Sequence, residues 1–503
     1  MTQNLATASH SFQRACLASR VVRKEQFTKW RTKDTVQSLM PFSFDTTYKD
    51  LHSKLYSRVE PKDIDTPEML VLNEGLCDDL GLHREDLNSQ ILSGQELLEE
   101  PIAQAYAGHQ FGNFTVLGDG RAMILGEHAH DGSRYDIQLK GSGRTPYSGR
   151  GDGNATVSSM LREYLYSYAM QHLGIKTSRS LAVIETGESV KRRRTEPGAI
   201  LVRVMKSHIR YGTFQYVASR ATGELEAFTD YVIDRHYAHL NNTETKYVDF
   251  FEEVMRASIE MVVDWIRVGF IHGVMNTDNM SIDGETFDYG PCAFMNYYDE
   301  NTVFSSVDRR GRYSFGNQRD ILKWNLTRFA ESLQPLFERS TRDFDRLKAK
   351  LDTFEDIFNS KYDSMMRRKL GIKSDGEREI VHEFLDWLRE SKADYTNTFI
   401  ELENPGSFDD AVYSSEGFNN VRDELADIGL DKEMMKKTNP RYIPRNYLIE
   451  EALNEYLEKG DLSTFNDLLS VLKNPYESEN SNSRFQQPPP KEFDSEYTTY
   501  CNT

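Results

Sequence analysis

Gly269-Phe-Ile-His-Gly-Val-Met-Asn-Thr-Asp-Asn-Met-Ser-Ile282, followed by Thr286-Phe-Asp-Tyr-Gly290, is the stretch on which the reading of this 503-residue chain turns. Asp278, Asn279 and Asp288 set three hard oxygen donors close together in sequence. Magnesium prefers such donors, takes one or two carboxylates from a protein, and completes its shell with water and nucleotide phosphates. The segment therefore reads as a loop that binds ATP and Mg²⁺, with Asn279 and Asp288 as metal ligands. Met280 to Phe287 reads as a small hairpin leading to Asp288. A polar loop that merely follows a core helix is the competing reading.

Working outward, Phe250, Phe251, Val254, Met255, Ile259, Val262, Val263 and Ile266 recur at helical spacing and predict a long helix ending near Gly269. Between about residues 115 and 206, Ala122–Gly126, Tyr135–Lys140, Leu181–Glu185 and Ala199–Val204 read as strands of an antiparallel sheet. Val157, Met160, Leu161, Tyr164, Leu165, Tyr168 and Leu173 form the apolar stripe of a helix interrupting that sheet, closed by Gly174. From residue 227 the pattern is helical, with further helices over about 317 to 371, 378 to 400 and 445 to 473. The expected class is α+β: a β-rich N-lobe with one key helix (about 41–225) and a larger helical C-lobe (about 226–475), with a ligand cleft between them.

Protein kinases have this arrangement. They place a base Asp and, five residues on, a Mg²⁺-binding Asn in one loop, then a second metal-binding Asp in an Asp-Phe-Gly turn. A strand lysine held by a helix glutamate contacts the phosphates, and Lys140 with Glu163 is compatible with that pair, although an exposed lysine and a solvated glutamate would look the same. With Asn279 as the metal asparagine, the base position falls on Val274, which cannot take a proton. Asp278 is then the candidate base, and His272 the packing residue of the loop. The glycine-rich stretches around Gly118, Gly120 and Arg121, and from Lys140 to Gly153, offer backbone N–H groups and arginines to phosphate, or are only turns. Arg203 and Arg210 need an acidic or phosphate partner if buried, and a structural ion pair serves as well as a ligand.

Composition sets the limits. A net charge of −18 argues against a nucleic-acid partner, and no apolar run is long enough to span a membrane. Cys16, Cys77, Cys292 and Cys501 lie too far apart in sequence for a zinc motif. Residues 1–40 form an N-terminal extension whose first 24 residues carry basic and no acidic side chains, as in a mitochondrial transit peptide; a basic disordered end is the alternative, and the chain would then be cytoplasmic. Residues 476–503 read as a polar, extended tail.

The chain resembles the selenoprotein O family of kinase-like proteins. Pro41-Phe-Ser-Phe-Asp-Thr-Thr-Tyr48, Tyr106-Ala-Gly-His-Gln-Phe-Gly112, Gln138-Leu-Lys-Gly-Ser-Gly-Arg-Thr-Pro-Tyr147, Ser207-His-Ile-Arg-Tyr-Gly212, the His272 segment and Asn439-Pro-Arg-Tyr442 carry the resemblance over about residues 41 to 476. It implies a two-lobed kinase-like fold that binds ATP turned around and transfers AMP to Ser, Thr or Tyr hydroxyls of proteins. It further implies that Gly118, Gly120, Arg121, Lys140, Asp152, Gly153, Arg203, Arg210 and Asp288 contact ATP, that Glu163 orients Lys140, that Asn279 and Asp288 bind Mg²⁺, and that Asp278 accepts the proton. Cys501 stands where many animal members carry selenocysteine, and a Cys292–Cys501 disulfide is a regulatory pairing that the resemblance suggests, with two free thiols as the default. A role in redox homeostasis and a monomeric state complete the expectation. An ordinary phosphotransferase is disfavoured by Val274, and an inactive nucleotide-binding scaffold by the retained Lys140, Glu163, Asp278, Asn279 and Asp288.

Overall fold

The structure is a computed structural model that describes residues 41–338, 340–374, 378–477, 483–490 and 492–500. The N-terminal extension and Cys501, with the targeting and disulfide expectations attached to them, lie outside the described residues. An antiparallel sheet fills the first part of the chain: β1 (Tyr56–Arg58), β2 (Glu68–Leu72), β3 (Ile102–Gln110), β4 (Asn113–Gly118), β5 (Ala122–His130), β6 (Ser133–Lys140), β7 (Arg179–Lys191) and β8 (Thr195–Met205). Their order is β1-β3-β5-β6-β8-β7-β2, and among the described residues β4 pairs with β3 alone. Side chains alternate across a strand, so Ile137, Leu139, Val202 and Val204 enter an apolar core on one face of the sheet. Gln138, Lys140 and Arg203 then face the other way, with Gln138 opposite Arg203 in the register. That second face is covered by α1 (Val157–His172), the helix expected over 157–173.

The sheet begins well before residue 115. β3 reads Ile-Ala-Gln-Ala-Tyr-Ala-Gly-His-Gln and carries a single β-branched residue, Ile102, so its strand signal is weak. Its small side chains have a tertiary cause: α2 (Tyr211–Arg220) lies so close that a Cβ on Gly212 would stand 1.9 Å from the Ala107 carbonyl oxygen. The helical part thus begins at Tyr211, and among the described residues only the two-residue strands Phe270–Ile271 and Ala293–Phe294 follow. The long helix α3 (Lys246–Val268) stops where Gly269 turns left-handed at φ 75, leaving the chain to enter the Asp278 loop.

Two expectations are corrected. Met280 to Phe287 form no hairpin: Ser281 bridges Arg210 and Thr286 bridges Thr177, so the segment pairs outward with the sheet-side chain. The C-terminal tail is docked over its described residues, because its polar sequence hides apolar anchors. Phe485 is buried, Phe493 stacks on Tyr497, and the Thr499 N–H donates to the Phe304 carbonyl at 2.8 Å.

Candidate active site

Lys140 ends β6 on the face that looks at α1, and its Nζ donates to Glu163 Oε2 at 2.6 Å. The same ammonium meets Asp288 Oδ1, and Arg203 bonds Glu163 Oε1 at 3.1 Å and reaches Asp288 Oδ1 at 3.4 Å. Two cations thus share two carboxylates in a nearly closed site, which is how buried charge is tolerated. Burial pushes the Asp288 carboxyl up, but Lys140, Arg203 and Arg121 outweigh it and hold the group well below the usual carboxylate range. Asp288 has φ 65, a backbone state that non-glycine residues seldom adopt, and its side chain is 34% exposed toward the cleft.

The Asp278 loop is fixed from three directions. Asn279 Nδ2 donates to the Val274 carbonyl at 2.9 Å, which leaves its amide oxygen for a cation. Arg210 donates to the Asp278 carbonyl at 3.2 Å from between the Tyr106 and Phe287 rings. The tip of the β3–β4 hairpin supplies the third set: the His109 N–H bonds Thr277 Oγ1 at 2.7 Å, the Phe111 N–H bonds Asn276 Oδ1 at 3.1 Å, and Gln110 Nε2 approaches Asp278 Oδ2 at 3.4 Å. Thr277 donates to Gln215, which bonds back to His109, closing a ring of hydrogen bonds. Asp278 Oδ1 accepts no hydrogen bond from the described residues. Burial pushes the Asp278 carboxyl up to about 6, against the pull of its own N–H and Arg210. Gly108 makes room for this carboxylate, since a Cβ there would stand 2.1 Å from Oδ1. His272 is a packing residue, stacked on Trp265 and bonded to the Phe287 carbonyl at 3.1 Å.

A cavity of about 480 Å³ joins these parts, lined by Asp278, Asn279 and Asp288 from below and by Gly118, Gly120, Arg121, Asp152 and Gly153 from above. Arg203 and Arg210, expected to touch nucleotide, are 4% and 3% exposed, Arg203 behind Asp288 and Arg210 behind the Asp278 backbone. Arg203, in β8, has Glu163 and Asp288 as its anionic partners, and Arg210, just ahead of α2, has Asp119 at 3.7 Å. The glycines that line the cavity also answer to packing. Gly118 is needed because a Cβ would strike the Tyr147 ring at 2.3 Å, and Gly153, at φ 75, lets two passes of the loop touch at Gly143. Asp152 is bidentate to Arg192, at 2.9 and 2.7 Å, which lowers its carboxyl to about 2. An ionised carboxylate repels phosphate, so Asp152 suits the nucleoside end of a ligand.

A family model described as protein adenylyltransferase SelO matches residues 38–473. The chain belongs to the SelO family. Proteins named protein nucleotidyltransferase YdiU are close relatives across nearly their whole length. The one from Clostridium perfringens (strain SM101 / Type A) is 46% identical over 486 residues, covering 93% of this chain and 99% of that protein. Those from Pelagibacter ubique and Nitrosococcus oceani are 45% and 44% identical, with 92% of this chain and 99% and 97% of theirs covered. Membership of the SelO family makes the chain an enzyme of the nucleotidyltransferase class. The residues that sequence reasoning missed in this SelO-family site are Gln110, Asn276, Thr277, Gln215 and Arg192. Their partners lie far along the chain, 168 residues away for Gln110 and Asp278, so no local pattern announces them.

Proposed function

We propose that this chain is a kinase-like, two-lobed protein adenylyltransferase that moves AMP from ATP to Ser, Thr or Tyr hydroxyls of proteins and releases pyrophosphate. The observation that carries this reading is Asp278: a buried carboxylate with one unpartnered oxygen, lining the cleft, in a loop whose usual base position is Val274, and burial pushes its carboxyl up to about 6. A base with a pKa near the working pH is ionised and still able to hold a proton. In the reaction the acceptor oxygen bonds to the α-phosphorus, its proton passes to Asp278, and the bond from the α-phosphorus to the bridging oxygen breaks with its electron pair leaving on pyrophosphate. Lys140, held by Glu163, and Arg121 supply positive charge where negative charge grows. Asp152 and Arg192 are suited to the nucleoside.

Asn279 and Asp288 fit Mg²⁺. The Asn279 amide nitrogen is committed to Val274, Asp288 stays ionised, and no group of three His, Cys, Asp or Glu gathers among the described residues, so phosphate oxygens would complete the shell. When bound, the ion would neutralise phosphate charge and orient the triphosphate. ATP labelled separately at the α- and γ-phosphates tests the reading. Protein label from α alone, with pyrophosphate released, supports it. Label from γ replaces it with phosphoryl transfer, and ATP binding without any label leaves a scaffold.

A further inference from the structure

AMP transfer to proteins requires a place to hold the acceptor chain, and the hairpin above the cleft offers one; the inference rests on that reading of the reaction. β4 bonds to β3 and to no other strand among the described residues, so one of its edges is open. The turn between them is Phe111-Gly112, with φ of 51 and 88, so Gln110 and Asn113 form the first bonded pair of a two-residue hairpin. Alternation along an antiparallel ladder then aims the N–H and C=O groups of Phe114 and Val116 away from β3. The same count makes Gln104 and Asp119 a bonded pair, as the 2.9 Å bond from the Asp119 N–H to the Gln104 carbonyl requires.

This edge is not blunted by charge or proline, the usual protections of an open strand. Asn113 to Val116 are exposed. Phe111, Phe114, Val116 and Val307 are four of the six large apolar side chains exposed among the described residues, and Phe111 and Val307 line the cavity that contains Asp278. Phe114 and Val116 share the hairpin face that carries His109, while Phe111 and Val307 lie at the cleft, so exposed apolar side chains flank the open edge, as on a surface that a partner covers. The hairpin tip also abuts a basic turn: the Phe111 ring lies 5.2 Å from that of Tyr313, beside Arg309 and Arg310, which are exposed and pair with no acidic group among the described residues. In a chain of net charge −18, that local basic pair favours an acidic neighbour.

We propose that the protein acceptor binds as an extended strand along the open edge of β4. It pairs with the main chain of Phe114 and Val116, rests apolar side chains on theirs, and directs acidic residues to Arg309 and Arg310, so that its hydroxyl enters beside Asp278. Strand addition to an open edge is an established mode of peptide capture.

The test uses synthetic peptides with a single Ser, Thr or Tyr, apolar residues at alternate positions and either acidic or basic ends, given to the full-length enzyme with ATP labelled at the α-phosphate. The acidic set is expected to show a KM about 10-fold below that of the basic set, and Arg309→Glu with Arg310→Glu to reverse the order. Val116→Pro removes an outward N–H without touching the β3 ladder, and should raise the KM for peptide about 10-fold, the worth of one main-chain hydrogen bond, with ATP affinity unchanged. Methylating peptide amides one at a time alters no enzyme residue and should raise KM at alternate positions only. Labelling whose KM ignores both Val116→Pro and amide methylation overturns the strand pairing while leaving AMP transfer intact. Absence of α-label from every peptide and from the enzyme itself overturns AMP transfer and this proposal together.

Discussion

Consider Asp278→Asn in the nucleotide-free protein. Burial lifts the Asp278 carboxyl from 3.8 to about 6, and the side chain keeps one weak partner, Gln110, which an asparagine oxygen can also accept from. A shift of about 2 units corresponds to about 3 kcal/mol between the protonation states. Because the folded pKa is the higher one, this group's stability is fully present below pH 3.8 and is lost as pH rises through about 6. The ionised form therefore weakens the fold by about 3 kcal/mol at pH 8 and by about 1.6 kcal/mol at pH 5. Asparagine carries no charge and escapes this cost. Urea unfolding of both proteins at the two pH values should show the variant more stable, with an advantage at pH 8 nearly twice that at pH 5. AMP transfer by the variant should fall by about 100-fold or more, the usual loss with a general base. The wild-type kcat/KM should rise with pH through about 6, where the free enzyme's base ionises. A variant whose stability advantage is absent, or equal at pH 5 and pH 8, would refute the claim that desolvation tunes this carboxylate.

Three further outcomes follow from the same geometry. Gly108→Ala puts a methyl where Asp278 Oδ1 sits, so kcat should drop about 100-fold while ATP affinity, measured by calorimetry, stays within about 2-fold. Lys140→Met leaves Glu163 and Asp288 with Arg203 as their remaining shared cation, and should cost about 3 kcal/mol in urea unfolding together with activity; a loss under about 1 kcal/mol would refute the claim that Lys140 is needed to hold the buried carboxylates. Thr277→Val breaks the ring that holds the hairpin, and hydrogen exchange at the His109 amide should accelerate about 10-fold; unchanged exchange would show that Thr277 is not the clamp.

What the sequence made legible follows the range of the forces involved. The helix over Val157–His172 and the one ending at Gly269 are written in local periodicity and a local cap, and both were readable. Lys140 and Glu163 were legible only as a compatible spacing, because an exposed lysine and a solvated glutamate would look the same, and it is the fold that brings them to 2.6 Å. β3 was not legible, because Ala107 answers to a helix more than a hundred residues away and Gly108 to the Asp278 loop. Arg203 and Arg210 were visible as cations in need of anions, but no rule of spacing says whether the anion is a ligand or a carboxylate of the same chain. The Asp278 loop joins the two cases. The missing carboxylate at Val274 is a local fact, and its backbone carbonyl still anchors Asn279, a contact that survives any side chain there. Whether Asp278 can act in its place depends on Gly108, which in sequence is one more weak residue in a strand with Ile102 as its single β-branched side chain. The residue that reads as a flaw in the strand is the one that leaves space for the base.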